Sequence, residues 1–222
     1  MKYFDSDFAN FFKDLAANNN KDWFHENKKR YEKSIKKPFY AFMTDLIAEI
    51  QKHDPLIDVQ AKDCVLRINR DVRFSKDKTP YNLHFGGFIS RGGRKDKSIP
   101  GIFLRFTPEE VGILVGCYGI SKEQLFNIRT YIQNDLKAFK GIYTDKELHE
   151  HFGDIQGEEH KRIPKEFQDS FQQEPLIAKK QFYMVAVREI ELIESEDLIV
   201  EIMKYWHVAR PLNEYLIKAM QN

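Results

Sequence analysis

The stretch Gly101-Ile102-Phe103-Leu104-Arg105-Phe106-Thr107-Pro108-Glu109-Glu110-Val111-Gly112-Ile113-Leu114-Val115-Gly116-Cys117 decides the fold class. Two apolar runs, rich in β-branched and aromatic residues, flank Thr107-Pro108-Glu109-Glu110, a turn by composition. So short a connection only joins antiparallel neighbours. Strands are therefore predicted over 100–107 and 111–119. Upstream, Gly92-Gly93 marks another turn after a predicted strand at 85–90. Before that, residues 64–73 alternate apolar and polar with period two. One face reads Cys64, Leu66, Ile68, Arg70, Val72, Phe74; the other reads Val65, Arg67, Asn69, Asp71, Arg73. Arg70 stands out, because a guanidinium on an apolar face cannot lose its proton and needs a carboxylate, carbonyls or a bound anion.

Helices are predicted on both sides of this meander. Phe8, Phe11, Phe12 and Leu15 recur at helical spacing after Asp5-Ser6, and Asn18-Asn19-Asn20 ends that helix. A second begins near Asp22 and buries Trp23, Phe24 and Tyr31. A third opens at Pro38 and shows Phe39, Phe42, Met43, Leu46, Ile47 and Ile50 on one stripe, ending at His53-Asp54-Pro55. Ser121-Lys122-Glu123-Gln124 is a capping box. Thr144-Asp145 opens another helix, stopped by Gly153. Residues 153–175 look irregular, Phe182–Val187 returns as a strand, and a last helix from Ser195 is kinked or split at Pro211. The expected class is α+β, a mainly antiparallel sheet near 64–119 packed by N- and C-terminal helices. It forms a single domain over 1–222, with helices in 1–55, the sheet in 64–119 and a mostly helical 121–222.

The chain has 222 residues, 42% of them hydrophobic, and a net charge of +1. Residues 64–105 hold ten basic and three acidic side chains, a local charge of +7, which leaves −6 elsewhere. A general nucleic-acid tract is therefore not expected, and nucleic acid is an unlikely partner. Two cysteines, Cys64 and Cys117, sit in apolar stretches without metal-ligand spacing, as buried thiols of a reducing cytoplasm would. No apolar run reaches membrane-spanning length, and the opening residues carry no signal-peptide core. The expected location is cytoplasmic, with no membrane partner.

The densest chemistry lies in Arg67-Ile68-Asn69-Arg70-Asp71-Val72-Arg73-Phe74-Ser75-Lys76-Asp77-Lys78-Thr79-Pro80-Tyr81. The pattern R-x-x-R-D-x-R-F-x-x-x-K-x-P-Y resembles that of the domain-of-unknown-function 2461 family of bacterial and fungal proteins. It is met at Arg67, Arg70, Asp71, Arg73, Phe74, Lys78, Pro80 and Tyr81. The resemblance extends to Asn18-Asn19 through Trp23-Phe24 and to Arg162-Ile163-Pro164, and so covers nearly the whole chain. It implies no activity, and no catalytic residue transfers from it.

From the residues themselves, Arg67, Arg70, Arg73, Lys78 and Tyr81 are the expected ligand-binding set, holding a phosphate- or carboxylate-bearing small molecule. Asp71, Tyr81 and His84 are the weak catalytic candidates. Asp71 among so many cations should have a depressed pKa and serve poorly as a base. His84 is more often a structural histidine than a proton carrier at such a position. No metal site or cofactor is expected, since His149 and His151 fall on different sides of a helix. Arg67 and Arg73 lie about 20 Å apart on a straight strand, so one pocket requires a bend near Asn69–Asp71. Two rival readings remain: a non-catalytic module binding protein or nucleic acid through the basic surface, and a purely structural ionic network with the function elsewhere. Arg70 is expected to be largely buried and paired to another element.

Overall fold

The computed structural model describes residues 1–221. Four strands form one antiparallel sheet in the order β1-β2-β3-β4: Phe85–Ile89, Gly101–Phe106, Glu110–Cys117 and Phe182–Glu189. The β2–β3 turn closes as its composition predicts, with the Thr107 hydroxyl accepting from the Glu109 and Glu110 amides. Strand alternation then sorts side chains. Phe85, Ile102, Leu104, Phe106, Val111, Ile113, Val115, Phe182 and Met184 are buried on the helix-covered face.

The first helices are α1 (Asp7–Ala17), α2 (Lys21–Glu26) and α3 (Lys28–Tyr31). A π turn at Glu32–Lys36 then leads into α4, Lys37–Gln51. In a regular α-helix Pro38 would press against the carbonyl four residues back. The wider turn just before it lets the helix continue, so Pro38 enters an existing helix and does not start a new one. The predicted stripe from Phe39 to Ile50 is buried throughout. Phe39 meets Phe85 and Phe106 edge to face at centroid separations of 5.0 and 5.3 Å, and Phe42 meets Phe4 in the same way at 6.1 Å. Gly87 on β1 lets α4 lie this close, because a Cβ there would sit 2.7 Å from Met43 Cε.

Between β3 and β4 come α6 (Lys122–Asn134), α7 (Leu136–Tyr143), α8 (Lys146–Phe152) and α9 (Gln168–Gln173), and α10 (Leu198–Met220) follows β4. The Ser121 capping box forms as predicted, and Gly153 ends α8 at φ 69°. Residues 153–175 are less irregular than expected, since they include α9. Pro211 does not split the last helix, which runs unbroken from Leu198 to Met220. Asn213 joins that helix to the sheet: its Oδ1 accepts from the Gly116 amide at 2.9 Å, and its Nδ2 donates to the Gly101 carbonyl at 3.4 Å. Gly116, at φ 98°, turns its N–H out of the ladder and toward that side chain.

The predicted strand at 64–73 is corrected. A one-turn helix, α5 (Ala61–Cys64), precedes it, with Gln60 and Asp63 forming the capping box. Val65 and Leu66 pair with Gly87 and Gly86 beside β1. Ile68–Arg70 then pair with Pro80–Asn82, through Arg70 N to Pro80 O at 2.9 Å and Asn82 N to Ile68 O at 2.8 Å. The segment is thus one arm of an irregular hairpin. Its tip, residues 71–79, leaves the ladder because Asp71 accepts from the Arg73 amide, a local bond that competes with strand pairing. Phe74, expected on the buried face, is 96% exposed.

Candidate functional site

Most cations of the motif are held within the hairpin. Arg70 is half-buried; its guanidinium donates to Asp77 at 2.5 Å, to the Thr79 carbonyl at 3.2 Å and to the Thr79 hydroxyl. The need for a partner is met, but by the next turn of the same loop and not by another element. Asp77 is exposed, so removing Arg70 orphans no buried carboxylate. Hydrogen bonds from the Thr79 amide, Arg70 and the Thr79 hydroxyl bring the Asp77 carboxyl down to about 2. Arg73 forks onto Asp71 at 2.7 and 2.9 Å and covers the Phe74 ring at 5.8 Å. Those bonds lower the Asp71 pKa, with help from the charge of Arg67, and make it a weak base. The Lys78 ammonium donates to the Val72 carbonyl at 2.9 Å. Arg67 is exposed and has no hydrogen bond or ion pair among the described residues.

Tyr81 is buried and stacks on Phe24, with centroids 4.0 Å apart and planes 17° from parallel. Burial raises its pKa. Its backbone is gripped by one side chain: Asn19 Nδ2 donates to Tyr81 O at 2.9 Å and Asn19 Oδ1 accepts from Tyr81 N at 3.1 Å. His84 is half-buried, and burial together with the charge of Arg105 lowers its pKa, so it is neutral at pH 7. No cluster of three metal-ligating side chains occurs among the described residues.

A concave site lies beside the motif, on the sheet face that the helices leave open. Register aligns Phe88, Phe103, Leu114 and Val185 in one cross-strand row. Phe88, Phe103 and Leu114 of that row, with Tyr183 and Tyr118, contribute to an apolar cleft of about 300 Å³. Leu66, from the motif arm, closes one edge, and Arg94 and Lys97 line it from the β1–β2 connection. Arg94 also donates to the Val65 carbonyl, which ties that connection to the motif arm. The Lys97 carbonyl accepts from the Gly119 amide at 3.1 Å, holding the loop against the end of β3. Lys97 has no side-chain partner among the described residues.

The fold thus places the cations of the expected set and those of the cleft in different roles. Arg70, Arg73, Lys78 and Tyr81 hold the hairpin in shape. Arg94 and Lys97 stand at an apolar cavity and escaped sequence reasoning. The signal for that cavity was present: Phe88, Phe103 and Leu114 are apolar on the strand faces opposite Ile89, Ile102 and Ile113. A sheet apolar on both faces is covered twice or carries a binding surface.

The architecture is an antiparallel α+β sheet with helices against one face and a basic hairpin beside an open apolar cleft. The chain belongs to the conserved hypothetical protein family DUF2461, whose family model matches residues 7–215. No curated protein and no solved structure matches it.

Proposed function

We propose that the protein binds a small organic anion, a carboxylate or phosphate on an apolar body, in the cleft on the open face of its sheet. The observation that carries this reading is the pairing of an apolar floor with two cations at one cavity. Phe88, Phe103 and Leu114 would take the apolar body, and Arg94 and Lys97 the anion. Arg67, exposed and next in the chain after Leu66, would be a third cation for the anion. Arg70, Arg73, Lys78 and Tyr81 would serve by fixing the arm that carries Leu66 and Arg67. The internal pairing of Arg70 and Arg73 favours this supporting role and also supports the reading of those two as structural. The buried free thiols Cys64 and Cys117 suit a reducing cytoplasm. Among the described residues no helix is long and apolar enough to cross a membrane.

The test compares 2-naphthoate with 2-naphthol, which share an apolar body and differ in charge. The wild-type protein should bind the carboxylate more tightly, and Lys97→Ala should remove about five- to tenfold of that preference. Arg67→Ala should act in the same direction. Equal binding of the two compounds by the wild type would show an apolar cleft with no anion role and end the proposal.

A further inference from the structure

A second groove, of about 370 Å³, lies where α6, α7 and α10 meet, and its lining differs in chemistry from the sheet cleft. Asn127, Thr130, Tyr131 and Asn134 are spaced three and four apart, so α6 presents them as one stripe. Asp135 and Ala138 continue the lining onto α7, and Tyr215 enters from α10. No lysine or arginine lines it.

The polar groups keep unused capacity. The Thr130 hydroxyl and Asn134 amide make no side-chain hydrogen bond among the described residues. Asn127 spends its amide on the Met220 carbonyl at 3.3 Å, which leaves its own carbonyl as an acceptor. Asp135 uses Oδ1 to cap α7, accepting from the Ala138 amide at 2.8 Å, and retains Oδ2. Tyr215 is 7% exposed, and its hydroxyl is buried with no hydrogen-bond partner among the described residues. Burial, the neighbouring Tyr131 and the charge of Asp135 keep that hydroxyl protonated, so it is a donor without an acceptor. Phe126, 49% exposed, adds an apolar surface at the rim.

We infer that this groove binds a neutral polyhydroxylated ligand, a sugar or cyclitol. Several donors and acceptors with spare capacity beside aromatic surface match a ring that has hydroxyls at its edge and C–H groups on its faces. The lack of a lining cation disfavours an anion. Each ligand hydroxyl both donates and accepts, which suits a site mixing an amide carbonyl, a carboxylate oxygen and a threonine O–H.

The experiment titrates the full chain with D-glucose, N-acetyl-D-glucosamine, myo-inositol and maltose and follows backbone amide shifts by NMR. At least one should move amides of residues 127–138, with millimolar affinity. Asn134→Ala and Thr130→Val should each weaken that binding about five- to tenfold. Asn134 is exposed and has no side-chain partner among the described residues, so its substitution separates ligand binding from folding. Tighter binding of maltose than of glucose supports a glycan chain as ligand; equal binding supports a free sugar. Silence from all four compounds overturns the inference. So does unchanged binding in both variants.

Discussion

Asn19→Ala is the sharpest test of how the motif hairpin is held. Asn19 acts as a substitute strand for Tyr81, giving one hydrogen bond to its carbonyl at 2.9 Å and taking one from its amide at 3.1 Å. The partners are 62 residues apart, so the pair fastens the hairpin to the turn between α1 and α2. Each bond contributes roughly 0.5–1.5 kcal/mol net, and the partners are only partly buried, so the loss should be about 2 kcal/mol. In a chain of this size that lowers Tm by about 4–8 °C. Urea denaturation should show a lower midpoint with an unchanged slope, because the surface exposed on unfolding is the same. Hydrogen exchange should rise at the Arg70 and Asn82 amides before it rises in the sheet. Asn19→Asp sharpens the argument: it keeps the acceptor for the Tyr81 amide but turns an ionised oxygen toward the Tyr81 carbonyl. It should be worse than alanine at pH 7 and recover below about pH 4, where the protonated carboxyl can donate again. A wild-type midpoint for Asn19→Ala would refute the reasoning and leave the Phe24–Tyr81 stack as the fastening.

Asn213→Ala should destabilise by about 1–3 kcal/mol in urea titrations, since it leaves the buried Gly116 amide without its acceptor. Stability should also depend on pH through the histidines. Burial lowers the pKa of His84, His160 and His207, so the unfolded chain binds more protons just below the ordinary histidine value. Their contribution is complete above about pH 6.5 and is lost as pH falls from there. Midpoints measured at pH 7.5 and 5.5 should differ in that sense, and His84→Gln should reduce the difference.

What the sequence revealed follows from the range of each interaction. The capping box at Ser121, the stripe from Phe39 to Ile50 and the turn at Thr107–Glu110 depend on neighbours within one or two turns, and all three form. The strand at 64–73 was misread because alternation reports burial on two sides, while a ladder needs a partner in register. Here pairing is broken between Leu66 and Ile68, and Asp71 then bonds locally. Arg70's demand for a partner was legible; that Asp77 and Thr79 meet it was not, since this depends on how the loop closes. Asn19 carried no signal, because only the fold brings it to Tyr81. The cleft was missed for a related reason: Gly92-Gly93 signals only a turn, and it is the fold that brings Arg94 and Lys97 beside Phe88 and Phe103.

The place of β4 in the chain bears on how this sheet assembles. Strands β1 to β3 follow one another through short connections, so their pairing closes small loops quickly. β4 reaches β3 only after the whole segment 118–181, with α6 to α9, has been made. The entropy of closing that loop grows only slowly with its length, but nothing repays it until the last strand docks. Until then the edge of β3 has unpaired amides and carbonyls, and Ile113 and Val115 lack a neighbour. The helices between the two strands therefore act as a timing element: the nascent three-stranded sheet remains open to self-association until they have packed and delivered β4.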